Sequence, residues 1–443
     1  MKFRTTLLAA LGFVFLVASP GFAAAPVPLY IQFSPSATKG ALYYPDTAVT
    51  PNPHIAIIVI HRNSNFLNHI STVEMPKRGF VVLGMNPRCD NNESICAPWE
   101  NNALDVKSGV NYLRKLPGIT KVILLGHSGG GPTMSFYEAV AENGVAFCQA
   151  NKLIDCDSTL AGLPKADGMI IMDGHPGNGI NEVRSINPAV VNDAAILDHN
   201  ATARINPNLD PFNTANGYNP NGPTVYSEAF KKKYFKAQSD RMNGLIAIAE
   251  DRLSQIRRGI YKYPAYTDDA IVIPMADGGR LSQLDMTVDH STEKPQKLMK
   301  NDGTIDASNV VESVRVPSLA PNVTTQFGST AFLQLKSFLS VRAIRSTNSQ
   351  DGLIWCSSNN STPCAIQKIS VPILVTAMGG HYFIRDSEVY YDLATTKDKD
   401  FVVIEGATHG GTECTACEIT PGQYSNATKN LFDYMASWIN KRY

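Results

Sequence analysis

The stretch "KVILLGHSGGGPTM", residues 121–134, is an apolar run that breaks into glycines around one serine. Val122 to Leu125 read as a strand buried on both faces, since aliphatic residues follow one another without polar alternation. Pro132 suits the first turn of a helix, where a missing N–H costs nothing, and the helical pattern runs on to Asn143. Ser128 therefore stands between strand and helix, in a turn too tight for side chains at Gly126 and Gly130. Such a turn presents its hydroxyl as a nucleophile, with the helix N-terminus behind it favouring a developing oxyanion. A phosphate-binding loop does not fit. There is no G-K-[ST] ending, and these four glycines cannot make a G-x-G-x-x-G spacing.

The same strand–loop–helix rhythm extends to either side. "IAIIVIH" (55–61), "GFVVLGMN" (79–86) and "GMIIMDG" (168–174) predict buried strands, and residues 100–116 predict a helix stopped by Pro117-Gly118. The rhythm then lapses until "VPILVTAM" (371–378), the helix "SEVYYDLA" (387–394), the strand "FVVIEG" (401–406) and a last helix over 426–440. Between lie the Asn/Pro/Gly-rich stretch 206–224, which predicts a loop or lid, and a long helix over 227–258. The expected fold class is α/β, a doubly wound, mostly parallel sheet with a large cap insertion. The expected division is a core of 26–185 and 350–443 with a cap of 186–349.

The chain has 443 residues, 39 basic against 39 acidic, so its charge gives no reason to propose nucleic acid or an anionic membrane surface as partner. Lys2 and Arg4, the apolar run from Leu7 to Ala18 and the small residues Ala23 to Ala25 predict a signal peptide over 1–25. Its apolar run is too short to span a bilayer, and no later segment is a candidate span. Export to the periplasm or beyond makes the eight cysteines legible as neighbour pairs: Cys89/Cys96, Cys148/Cys156, Cys356/Cys364 and Cys414/Cys417. A redox or zinc role for Cys414-Thr-Ala-Cys417 is the competing reading.

A nucleophilic serine needs a base. His409, in "EGATHGG" (405–411), is the histidine that follows a late strand on a short glycine-rich loop. The oxyanion hole should combine the backbone N–H of Gly129 with one from the loop after the first buried strand, where "IHRNSNF" (60–66) offers Arg62 or Asn63.

On His61-Arg62, Asn86-Pro87-Arg88, the Ser128 turn and Gly406-Ala407-Thr408-His409, the chain resembles the α/β-hydrolase superfamily over most of 55–175 and 365–443. The resemblance implies acyl hydrolysis without a cofactor or metal: Ser128 attacks, His409 acts as base and then acid, and a carboxylate orients His409. Members commonly place that carboxylate after the strand that "VPILVTAM" resembles. Here the loop reads "GGHYFIRDSE" (379–388), with His381 at that place and Asp386 and Glu388 further on. Asp386 there is explained as a helix N-cap. Some lipases of the superfamily carry the acid one strand earlier, which favours Asp173 and leaves Asp386 or Glu388 as the alternatives. His381 and Tyr382 are then expected to contact substrate. The Tyr and Phe of the cap suggest a small-molecule ester with an aromatic or apolar group, unless they are simply core. A peptidase or amidase with the same triad is the alternative, and a non-catalytic binding module a further one.

Overall fold

A computed structural model describes residues 27–34, 38–48, 50, 53–89, 98–197, 204–317 and 330–443. The expected signal peptide lies outside the described residues. Ten strands form the central sheet: β1 (Leu29–Gln32), β2 (Lys39–Tyr43), β3 (Ile55–Ile60), β4 (Val81–Asn86), β5 (Lys121–His127), β6 (Gly168–Met172), β7 (Leu298–Met299), β8 (Ile305–Asp306), β9 (Ile373–Met378) and β10 (Lys399–Ile404). Across the sheet they run β1-β2-β4-β3-β5-β6-β9-β10-β7-β8. β1, β2 and β8 pair antiparallel and the rest parallel. An antiparallel second strand, the exchange of β3 and β4 and a serine turn after β5 make this an α/β-hydrolase fold.

Both faces of the sheet are buried, and the two-residue period sorts them. Ala56, Ile58 and Ile60 of β3 join one core with α1 (Asn102–Leu113), α2 (Gly130–Asn143) and the later helix Ile384–Leu393. Ile55, Ile57 and Val59 join the other, with the last helix, Ala427–Asn440. β1 and β2 were not anticipated. Leu29 and Tyr30 are exposed and β1 has four residues, too few to show a pattern.

In the insertion, helix α3 (Glu228–Arg257) packs Met242, Leu245, Ile246, Ala249 and Leu253 against the strand pair Ala270–Ile273/Ala331–Gln334. The stretch expected as cap, 186–349, is partly sheet. Leu298 and Met299 pair in parallel with Val403 and Ile404, so the chain returns to cover an otherwise open edge of β10. Among the described residues no helix is long and apolar enough to cross a membrane.

Three of the expected cysteine pairs are bonded: Cys148–Cys156, Cys356–Cys364 and Cys414–Cys417, with Cα separations of 5.5, 5.0 and 5.2 Å. Bonded to each other, Cys414 and Cys417 have no thiolate to offer zinc. The fourth pair involves Cys96, outside the described residues.

Candidate active site

Ser128 opens the two-residue link between β5 and α2, and its φ is +53°. A non-glycine residue in this left-handed region costs roughly 1–2 kcal/mol, which surrounding contacts must hold. They do so through its carbonyl, which accepts the N–H groups of Gly131 (2.9 Å) and His175 (3.1 Å). A Cβ at Gly126 would lie 2.6 Å from the Gly130 carbonyl oxygen, so the turn closes only with glycine there. Ser128 and His409 line one cavity of about 370 Å³ at the C-terminal ends of the strands, where open parallel sheets gather their reactive groups.

Asp173 directly follows β6, also at positive φ (+41°), and is fully buried. Its N–H donates to the Thr376 carbonyl (2.8 Å), and its Oδ1 accepts the Met378 N–H (3.2 Å). The other oxygen, Oδ2, accepts His409 Nδ1–H at 2.6 Å. Of the three carboxylates weighed from the sequence, this one meets His409. Asp386 instead pairs with Arg184 at 2.8 Å. Glu388 accepts the Glu293 and Lys294 amides at 2.7 and 3.0 Å. Nor is Asp386 a helix cap, because the helix begins earlier, at Ile384, and holds Asp386 in its first turn.

His381, on the loop after β9, turns to Asp173. Its Nδ1 lies 2.7 Å from Asp173 Oδ2, but out of line for a hydrogen bond, so His409 holds the aligned contact. The two imidazoles stack with centroids 4.4 Å apart. Burial by itself would raise the Asp173 pKa. The charge contributions of His381 and His409, with the hydrogen bond from His409, outweigh it and hold the carboxyl well below its usual range. Among the described residues Asp173, His381 and His409 are the one group with metal-type donor atoms within 4.8 Å of one another. With both Nδ1 atoms against the same oxygen, an ion would have to displace these contacts.

Beneath them runs a chain that the sequence did not reveal. Ser71 Oγ is 2.8 Å from His69 Nδ1, His69 Nε2 is 2.8 Å from His127 Nδ1, and His127 Nε2 is 2.7 Å from the His409 carbonyl. A carbonyl only accepts, so His127 carries its proton on Nε2 and accepts from His69, which in turn accepts from Ser71. Burial lowers the pKa of both rings, that of His69 to about 3. The neutral chain anchors the His409 loop. One signal was present in the sequence, a histidine immediately before Ser128, but its partner lies 58 residues away.

His61 is fixed in the same way. Its Nδ1 accepts the Asn63 and Ser64 amides at 3.3 and 3.1 Å, and burial keeps it neutral by lowering its pKa. Its proton is therefore on Nε2, beside Gly129: a Cβ at Gly129 would meet that nitrogen at 2.5 Å. With the Asn63 amide so engaged, the oxyanion reading falls to Arg62.

His381 and Tyr382 both line the cavity, as expected, yet most of its lining is polar, including Arg62, Arg280, Arg342, Asn178, Asn181 and Glu182. The aromatic residues that suggested an apolar substrate group sit elsewhere. Tyr226, Phe230 and Tyr234 pack with Leu281 and Leu284 in a cluster of their own, where burying their rings is the larger gain. That expectation loses its basis.

No family model and no curated protein matches the sequence. Among solved structures the chain is similar to Est1E from Butyrivibrio proteoclasticus, at 12% identity over 94% of this chain and 99% of that one, with a TM-score of 0.37. It is also similar to proline iminopeptidase from Mycobacterium smegmatis (11%, 94% and 98%, TM-score 0.38). DcsB, in complex with its substrate analogue, is a third (10%, 94% and 99%, TM-score 0.42). The fold assignment rests on strand order and the serine turn, and these distant likenesses add no function to it.

Proposed function

We propose that the protein is a serine hydrolase that cleaves carboxylic esters through an acyl-enzyme intermediate. The observation that carries this reading is the aligned 2.6 Å contact between His409 Nδ1 and Asp173 Oδ2, beside the cavity that Ser128 lines. Asp173, ionised through the neutral range, keeps the His409 proton on Nδ1 and leaves Nε2 as the base. Ser128 Oγ attacks the ester carbonyl as its proton passes to His409 Nε2. The imidazolium then protonates the leaving alcohol, and a water repeats the sequence to release the acid. Gly129 and Arg62 supply backbone N–H groups to the oxyanion, and His61 Nε2–H adds a third donor whose direction is set before substrate arrives.

Reaction of the mature protein with a fluorophosphonate, followed by peptide mapping, tests this directly. The adduct is expected on Ser128, and label elsewhere or none would sink the mechanism. Aryl esters, triglyceride emulsions and aminoacyl anilides then separate esterase from lipase and peptidase, with aryl esters expected to turn over fastest. The N-terminal segment is read as an export signal and residues 186–349, apart from β7 and β8, as the cap. The three disulfides support an oxidising destination. N-terminal sequencing of the exported protein is expected to begin just after Ala23 to Ala25.

A further inference from the structure

We infer that this cavity takes esters that carry a carboxylate, and that Arg280 binds it. The inference rests on Ser128 being the reactive serine of the same cavity. Arg280 is only 4% exposed, yet no carboxylate among the described residues lies within ion-pair distance of it. Its Nη2 donates to Asn181 Oδ1 (2.8 Å) and, more weakly, to the Asn181 carbonyl (3.3 Å), and its Nε reaches Ser185 Oγ at 3.4 Å. The guanidinium also lies over the Tyr382 ring, 5.0 Å from its centroid. These contacts hold the fork in place and leave Nη1 without a hydrogen bond among the described residues, on a side chain that lines the cavity.

Burying a guanidinium without a counter-charge is costly, and a planar fork of this kind matches a carboxylate. The acidic residues of the cavity do not meet that need. Glu182 is committed to Arg342 at 2.6 Å, and Asp277 is exposed, where solvent screens it. Asp289 interacts with Arg280 only across a longer gap, its carboxyl pushed up by burial. The vacant charge is also close to the chemistry. Tyr382, under Arg280, touches His381 (4.1 Å between centroids), which stacks on His409. A substrate held at Arg280 therefore bears its carboxylate a short chain away from the ester that Ser128 attacks, as in a half-ester of a dicarboxylic acid.

Mono-p-nitrophenyl glutarate and p-nitrophenyl valerate form a test pair of nearly equal length that differ in the terminal carboxylate. The wild-type kcat/KM is expected to favour the glutarate at least tenfold, and Arg280→Gln to lower that ratio at least tenfold, with Arg280→Lys between them. A ratio near one in the wild type, or one unchanged in Arg280→Gln, overturns the inference. Glutarate binding to Ser128→Ala by calorimetry separates this from the parent reading. Binding that is lost in Ser128→Ala/Arg280→Gln supports the subsite even if no ester is cleaved. Ester cleavage at Ser128 with no glutarate binding rejects the subsite alone. Should the Arg280 variants not fold, wild-type inhibition decides: glutarate is expected to compete at least tenfold better than neutral glutaramide, and equal inhibition rejects the inference.

Discussion

The floor and the wall of the cavity are built in opposite ways. The floor comes from strand ends: Ser128 after β5, Asp173 after β6 and His409 after β10, the first two at positive φ and tied to neighbouring backbone, the third held through its carbonyl by His127 Nε2. The wall is lined from the insertion and the helix Asn178–Ser185 before it, by Arg280, Asn181 and Glu182, held by side-chain pairings. Rigid backbone suits groups that must meet a transition state within fractions of an ångström. Side-chain pairings suit a surface that discriminates among substrates. The floor should therefore fail by losing rate, and the wall by losing preference.

Breaking the floor should give the largest effects. Asp173→Asn is expected to lower kcat on an aryl ester roughly 10⁴-fold, by leaving His409 in the wrong tautomer. Asp386→Asn is its control. It breaks the buried pair with Arg184, so it should cost about 3–5 kcal/mol in urea unfolding while the folded protein keeps its kcat. If Asp386→Asn loses the rate instead, the acid is misassigned. His61→Phe should come next, with kcat falling about 10²-fold and KM little changed, as for one lost oxyanion donor. An equal rise in KM would mean that His61 binds substrate and does not stabilise the oxyanion.

A separate effect is expected in stability against pH. His61, His69, His127 and His175 are all depressed by burial, so the unfolded chain binds more protons below the ordinary histidine value of 6.5. Stability is then full above that value and declines as pH falls toward the folded values, about 3 for His69. Each fully depressed ring contributes about 1.4 kcal/mol per pH unit in that window. Urea midpoints at pH 7.5, 6 and 5 should fall in that order, and a flat series would contradict neutral, buried rings.

Much of the floor was readable because it obeys local rules. The β5–α2 junction announces itself by an apolar run, four glycines and a proline within 14 residues. His409 follows a strand on a glycine loop, and Asp173 ends another strand. What stayed hidden depends on distance along the chain. Ser71, His69 and His127 became one hydrogen-bonded chain only when β3, β5 and their loops were side by side. Strands β7 and β8, two residues each, carry no periodicity to read.

Sequence alone thus determined the fold class and the serine turn, because period-two burial and a glycine-bound turn are properties of neighbouring residues. Tertiary structure alone decided which carboxylate meets His409 and which charge is left unpaired in the cavity. Both questions turn on which side chains from remote segments share a dry space. There the cost of an unmatched charge, negligible in water, becomes large enough to select partners.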